Sequence, residues 1–452
     1  MIRYCMPNQP SGQPDSLGPL TEGVPKTFPR ARSSKGKYDS LAKPGVAETA
    51  APSESEFGFH LKPADVARYL DRFVIGQKEA KKVLSVALCD HFQHVRMTME
   101  GQGAPFYQKQ NVLLLGPTGV GKTHLVRSAA ELIGVPFVKA DATKFSETGY
   151  VGGDVDDLVR DLVRRAGGNV KTAEHGIIYL DEVDKLGTRE PVAGRDVSGR
   201  GVQTNLLKLM EDGDVPLVSP NDMTGQLQNA MQTMRGGGGA QPETINTRHI
   251  LFIVSGAFSG MDEMIRKRLE EEDRRRLKSS SAGVVGGASR AVSAPSKGRA
   301  GLRKTQGIKM TVDQLFQKVA TADLINYGLE PEFVGRLPVR VACHGLNTED
   351  LFNVLKKSES SLIHQYERAF AAYGIEVKFE DGGLRCLAGL AAEERTGARG
   401  LMTVCERVFR DFKFRLPSSR VSKLSVTSDL VAAPEAALRA LLKNSRKPRL
   451  LA

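Results

Sequence analysis

The chain has 452 residues, 26% of them charged and 40% hydrophobic, with a formal net charge of +12. That length suits roughly three units of about 150 residues with a sizeable core, and no apolar run approaches the roughly 20 residues of a membrane-spanning helix, which excludes an integral membrane protein of that kind. Trp is absent and aromatics are only 6%, so stacking platforms for single-stranded nucleic acid are not expected.

The positive charge is unevenly spread. Residues 267–309 carry 12 basic and 4 acidic groups, residues 439–452 carry 5 basic and none acidic, and residues 1–58 carry 7 and 6. The rest is therefore slightly negative, and the surplus reads as solvated runs in one insert and one tail. Cys5, Cys89, Cys343, Cys386 and Cys405 form no C-x-x-C pair. Neither a zinc module nor a disulfide framework follows, and a cytoplasmic, reducing compartment is expected, with an organellar matrix left open. The first residues lack the apolar core of a secretory signal.

In chain order, residues 1–58 are rich in Pro, Ser, Gly and Ala and read as a disordered leader. Pro63 suits a helix first turn, with Leu61, Val66, Leu70 and Phe73 as its apolar face. A second helix follows Gly76. Short apolar runs then alternate with helical stretches: Val112–Leu115, Phe137–Ala140, Ile177–Leu180, His249–Val254 and Val339–Ala342. That texture predicts an α/β fold with a parallel sheet flanked by helices. Residues 268–308 are poor in bulky apolar residues and read as a flexible insert, and Gly236–Gly239 mark a second flexible loop. From Asn347 the chain turns helical. A helix begins at Thr348 and Gly374 closes the helical run. A strand at 375–379, helices near 382–394 and 399–414, and a strand at 423–427 follow. The expected organisation is a leader 1–58, a large domain 59–341, a small mostly helical domain 342–431 and a basic tail 432–452.

The strongest chemical signal is Gly116-Pro117-Thr118-Gly119-Val120-Gly121-Lys122-Thr123, a phosphate loop directly after a strand and before a helix. Its glycines let backbone N–H groups wrap phosphates at a helix N-terminus. Lys122 is expected to reach the β and γ phosphates and Thr123 to ligate Mg²⁺. The second signal is Gly176-Ile-Ile-Tyr-Leu-Asp-Glu-Val-Asp184, a buried strand ending in carboxylates. Asp181 is expected in the Mg²⁺ shell and Glu182 beside the attacking water. ATP and Mg²⁺ are the implied cofactors.

These motifs, with VIGQKEAKKVL, ADATKFSETGYVGGDV, RDVSGRGVQ, LFIVSGAF, GLEPEFVGRLPV and TGARGL in this order, resemble the AAA+ unfoldase subunits of the Clp type, closest to the ClpX family and next to the HslU family. The resemblance spans about residues 61–430 apart from the insert. It implies a P-loop AAA+ domain followed by a small helical lid, and an ATPase that unfolds and translocates proteins, with no protease site of its own. It implies further that Val74 and Ile75 contact adenine, Arg336 is the arginine finger of a homo-hexameric ring, and Arg399 is the second sensor. Ser255 is a candidate first sensor. Tyr150 and Val151 match the first pore loop, which grips protein substrates, and Arg195–Gly201 match the second. On residue chemistry alone, Val74 and Ile75 can also be a packing turn, an arginine after glycine is most often a surface ion pair, and Tyr150 can as easily be a core plug.

Three departures stand out. The four-cysteine zinc domain is missing from residues 1–58. The Val218–Thr247 stretch has only Arg235 where the family has an Arg-Lys-His loop. The insert reads Ser281-Ala-Gly-Val-Val-Gly-Gly-Ala288 in place of an Ile-Gly-Phe type docking tripeptide. Partnership with a ClpP-like peptidase is therefore atypical. A stand-alone remodelling chaperone stays open as a second reading, and a nucleic-acid-remodelling ATPase as a third that the slightly negative body and the Gly-Tyr-Val-Gly loop weigh against. His91 and His94 on one helix face, with Cys89 and Asp90, do not complete a metal site. Adjacent Cys343 and His344 on a strand point apart and form no nucleophile pair.

Overall fold

Five short apolar runs become the strands of one parallel sheet in the computed structural model, which describes residues 58–104, 107–145, 153–187, 199–218, 244–282 and 309–445. The leader up to residue 57, Tyr150 and Val151, the glycine run 236–239, residues 283–308 and residues 446–452 lie outside these described residues.

The chain opens with α1 (Pro63–Asp71), whose first-turn proline loses no hydrogen bond, and α2 (Lys78–Met99). Next come β1 (Val112–Leu115), α3 (Lys122–Ile133), β2 (Phe137–Asp141), α4 (Asp157–Arg165), α5 (Val170–Ala173) and β3 (Ile177–Asp181). Then α6 (Gly199–Met210), the antiparallel pair β4 (Asp214–Pro216) and β5 (Thr244–Asn246), β6 (Leu251–Gly256) and α7 (Met261–Ala282). Three short helices, α8 (Val312–Phe316), α9 (Thr321–Tyr327) and α10 (Pro331–Gly335), lead to β7 (Val339–Ala342).

The strand order is β2-β3-β6-β1-β7, every pair parallel. Successive residues alternate between faces, as a period of two demands. Val112, Leu114, Ile177, Tyr179, Leu251 and Ile253 pack under α1, α2 and α3. Leu113, Leu115, Ile178, Leu180, Phe252 and Val254 pack against α4, α6 and α7. Burial on both faces explains why these strands read as unbroken apolar runs. Placing β6 between β1 and β3 brings two loops far apart in sequence to one carboxyl edge, where open α/β sheets bind ligands.

The C-terminal part has its own core, built on Leu387, Val404, Phe409 and Phe412. It comprises α11 (Thr348–Lys357), α12 (Leu362–Ala371), β8 (Glu376–Phe379), α13 (Asp381–Glu393), α14 (Ala398–Arg415), β9 (Lys423–Val426), α15 (Ser428–Ala432) and α16 (Pro434–Ser445). Asn347 and Asp350 form a capping box on α11.

Two expectations need correction. The segment from residue 268 does not leave the fold at once: α7 runs on to Ala282. Arg268 donates at 2.8 and 2.9 Å to Asp323, and Leu269 packs against the core. The run of charges hid this because a helix tied down by ion pairs needs little apolar period. The expected tail from residue 432 is in part α16, which buries Leu438 in the small core.

Candidate functional site

The carboxyl edge of the sheet gathers the expected chemistry. The loop after β1 is held to its shape by two close approaches. A Cβ on Gly116, at φ +139°, would lie 2.3 Å from the Cys343 carbonyl oxygen. A Cβ on Gly119, at φ +75°, would lie 2.1 Å from the Thr396 carbonyl oxygen. Only glycine fits either place. The Gly119 carbonyl accepts from the Ala398 N–H at 2.8 Å, so the loop caps the N-terminus of α14. Val120 is buried, and Pro117 and Thr118 are exposed.

Lys122 is buried and its ammonium donates to the Gly116 and Pro117 carbonyls at 2.5 and 2.9 Å. Burial pulls its pKa down, Asp181 and Asp184 oppose this, and the charge of Arg399 adds to the fall. Arg399 is exposed at the start of α14, near enough for that influence.

β3 ends in Asp181, whose Oδ1 accepts from Ser255 Oγ at 2.6 Å and from the Glu182 N–H at 3.1 Å. Its Oδ2 lies 3.3 Å from Thr123 Oγ1 and 3.6 Å from Lys139 Nζ. Burial acts to raise the Asp181 pKa, but the Ser255 hydrogen bond and the Lys139 charge outweigh it, and the carboxyl is held below its usual range. Two hard oxygens, a hydroxyl and an ionised carboxylate, stand side by side here, a donor set that fits Mg²⁺. Glu182 is exposed and left-handed, at φ +59°. That conformation is uncommon for a non-glycine residue and turns the chain sharply away from the strand end.

Val74 is buried in the core beneath α1 and α2, 3.4 Å from where a Gly121 Cβ would lie, while Ile75 is half-buried. The small domain closes over this segment. Arg72 pairs bidentately with Glu359 at 2.6 and 2.8 Å, Ser358 donates to the Phe73 carbonyl at 2.8 Å, and His124 meets Ser360 at 2.8 Å.

Arg336 is on the other side of the molecule. Its carbonyl accepts from Asn111 Nδ2 at 3.1 Å, just before β1, so it marks the amino edge of the sheet. A four-residue strand rises about 13 Å, which separates Arg336 from the phosphate loop of its own chain. Its guanidinium pairs with Glu211. Of the Arg195–Gly201 segment, Gly199–Gly201 form the first turn of α6.

Sequence reading missed three participants. Tyr179 is fully buried, with its hydroxyl 2.7 Å from Ser255 Oγ and 3.3 Å from Thr123 Oγ1. A tyrosine inside an aliphatic strand was its one available signal. Lys139 faces Asp181 from the neighbouring strand. Gln77 clasps the end of β7: its side chain donates to the His344 carbonyl at 2.7 Å and accepts from the His344 N–H at 3.0 Å. No local spacing signals that pairing. The buried Cys343 thiol, beside this clasp, is pushed up to about 11 by burial.

Among the described residues no group of three or more ligating side chains is arranged for a metal ion of its own, and no helix is long and apolar enough to cross a membrane. His91 donates to the His249 carbonyl at 2.9 Å and His94 stacks on Tyr107.

Comparison with known proteins agrees with this arrangement. The family described as AAA domain (Cdc48 subfamily) matches residues 107–340. The chain is 36% identical over 393 residues to an ATP-dependent Clp protease ATP-binding subunit ClpX 3 of Methylococcus capsulatus, covering 84% of this chain and 82% of that protein. It is 38% identical over 372 residues to the ClpX subunit of Borrelia duttonii, covering 82% and 78%, and 36% identical over 363 residues to that of Treponema denticola, covering 80% and 79%. An ATPase domain with its phosphate loop, strand-end acids and helical lid in place, matched over four-fifths of its length, belongs to the ClpX family of AAA+ ATPases, the ATP-binding subunits of Clp protease.

Proposed function

We propose that the chain is the motor of a homo-hexameric ring that hydrolyses ATP to unfold proteins and thread them to a Clp-type peptidase in the cytoplasm. Its relatives carry the name of Clp protease ATP-binding subunits. The observation that carries the reading is the convergence of Lys122, Thr123, Asp181 and Glu182 on one sheet edge, with Arg336 on the opposite edge. Gly116–Thr123 cradle the phosphates, and Val74 and Ile75 flank the base. Thr123 and Asp181 hold Mg²⁺, which when bound neutralises phosphate charge. Glu182 orients and deprotonates the attacking water. Arg336 cannot serve its own site across the sheet, which supports its action on a neighbouring subunit's nucleotide. Arg399, at the start of α14, links nucleotide to lid. Tyr150 and Val151 grip the substrate, an aromatic ring offering contact area without sequence preference.

The test is a pair of variants. Lys122→Ala loses ATP affinity, while Glu182→Gln binds ATP and falls at least a hundred-fold in turnover. Arg336→Ala mixed with Glu182→Gln regains turnover, since sites with intact Glu182 receive a neighbour's arginine. Glu182→Gln with unchanged turnover, or a fully active monomer, overturns the reading.

A solo remodelling motor is the second reading. It is favoured by the insert, where Val284 and Val285 offer far less area than the 150–250 Å² a Phe anchor buries. Weak or no binding to a generic ClpP-type peptidase, strengthened when an Ile-Gly-Phe-Gly segment replaces Ala282–Gly286, supports it. Tight binding lost on deleting 281–288 refutes it.

A further inference from the structure

Three hydroxyls and one carboxylate meet beneath the phosphate loop, and counting their hydrogens fixes the direction of the Ser255 and Tyr179 bonds. Asp181 Oδ1 accepts from the Glu182 N–H at 3.1 Å and from Ser255, which spends its only hydrogen there at 2.6 Å. Ser255 Oγ can then only accept at its 2.7 Å contact with Tyr179, so the phenol donates there. With its hydrogen spent, the Tyr179 oxygen is an acceptor toward Thr123 Oγ1 at 3.3 Å. Thr123 therefore faces two acceptors, Tyr179 and Asp181 Oδ2, both at 3.3 Å.

We propose that Tyr179 is a positioning residue for the Mg²⁺ site. It locks the Ser255 hydrogen onto Asp181 Oδ1, so that this hydrogen does not compete for Oδ2, and it offers the Thr123 hydrogen a second acceptor beside the carboxylate. This rests on the ATP-site reading above. Tyr179 is fully buried on β3, and its hydroxyl acts through Ser255 and Thr123. The buried hydroxyl is otherwise costly in an aliphatic strand, where Phe would pack as well.

The experiment measures ATP affinity with MgCl₂ and with EDTA, by equilibrium binding of a fluorescent ATP analogue. Tyr179→Phe should leave affinity in EDTA within two-fold and cut the Mg²⁺-dependent gain by roughly five- to ten-fold, the size expected for one buried hydrogen bond. Ser255→Ala should do the same, and the double variant should lose no more than Ser255→Ala alone, because the two act in one chain. Ser255→Thr, which keeps the hydroxyl, should restore the gain, and it carries the comparison if Tyr179→Phe does not fold. Equal Mg²⁺ gain in Tyr179→Phe and wild type, or additive losses in the double variant, overturn the proposal. Lys122→Ala separates the two layers: if it binds ATP as wild type does, the site reading itself has failed, whereas its loss alongside a normal Tyr179→Phe sinks the relay alone.

Discussion

The two edges of the central sheet both carry titratable side chains, and they treat them in opposite ways. At the carboxyl edge Lys122, Asp181 and Glu182 stay beside a loop of backbone donors, with Asp181 held ionised by Ser255 and Lys139. At the amino edge His91, His94, His175 and His249 cluster with Tyr107 and Lys109. Burial pushes His91 down to about 3 and His249 down to about 4, and lowers His94 and His175 as well. Lys109, giving its hydrogen to the Thr247 carbonyl at 2.8 Å, is pushed down to about 7 by burial. Strand-end loops at the first edge keep charge where a ligand compensates it. At the second edge the buried histidines are kept from charging and are occupied by a carbonyl and by rings, so this cluster contributes packing.

The sharpest way to break this contrast is at Gly119. Alanine there forces a Cβ onto the Thr396 carbonyl in a left-handed conformation, at a cost of about 1–3 kcal/mol. The loop and the start of α14 must separate, so ATP affinity should fall at least ten-fold in equilibrium binding. The amino edge should be untouched, with the same pH profile of stability. Unaltered affinity would mean that the loop does not depend on the lid.

The next effect is on the amino edge. Its histidines have folded pKa values below the unfolded 6.5, so the unfolded chain takes up protons first as pH falls. Their contribution is fully present above 6.5, erodes below it, and is lost completely only on passing the folded values of about 4 and 3. For the fully buried His91 the loss is about 1.4 kcal/mol one pH unit below 6.5. Thermal midpoints should drop between pH 7.5 and 5.5, and His91→Phe should flatten that slope. A flat wild-type profile would remove the distinction between the edges.

The smallest effect concerns Arg336 and Glu211, which pair on that same amino edge with both side chains about half exposed. Exposed pairs contribute about 0–1 kcal/mol. Glu211→Ala should shift the thermal midpoint by no more than a few degrees, with ATP turnover within about three-fold. A large loss of stability would show that Arg336 is fastened as structure and is not free to serve a neighbour.

What the sequence determined by itself was local. The phosphate loop, the Asp181-Glu182 pair and four of the five strands to within a residue are contiguous in the chain, and spacing along a strand or loop constrains the atoms beside it directly. The start of α11 at Thr348 and the turn at Gly374 were legible for the same reason. The tertiary structure decided everything that spans distance. Tyr179 meets Ser255 across 76 residues, Ser255 meets Asp181 across 74, and Gln77 meets His344 across 267. The non-sequential strand order sets these meetings, and no periodicity encodes it. The same order put Arg336 on the edge away from its own phosphates. It also anchored α7 through Arg268 and Asp323, where a run of charges had looked like an insert, because an ion pair made 55 residues away leaves no pattern in the segment it holds.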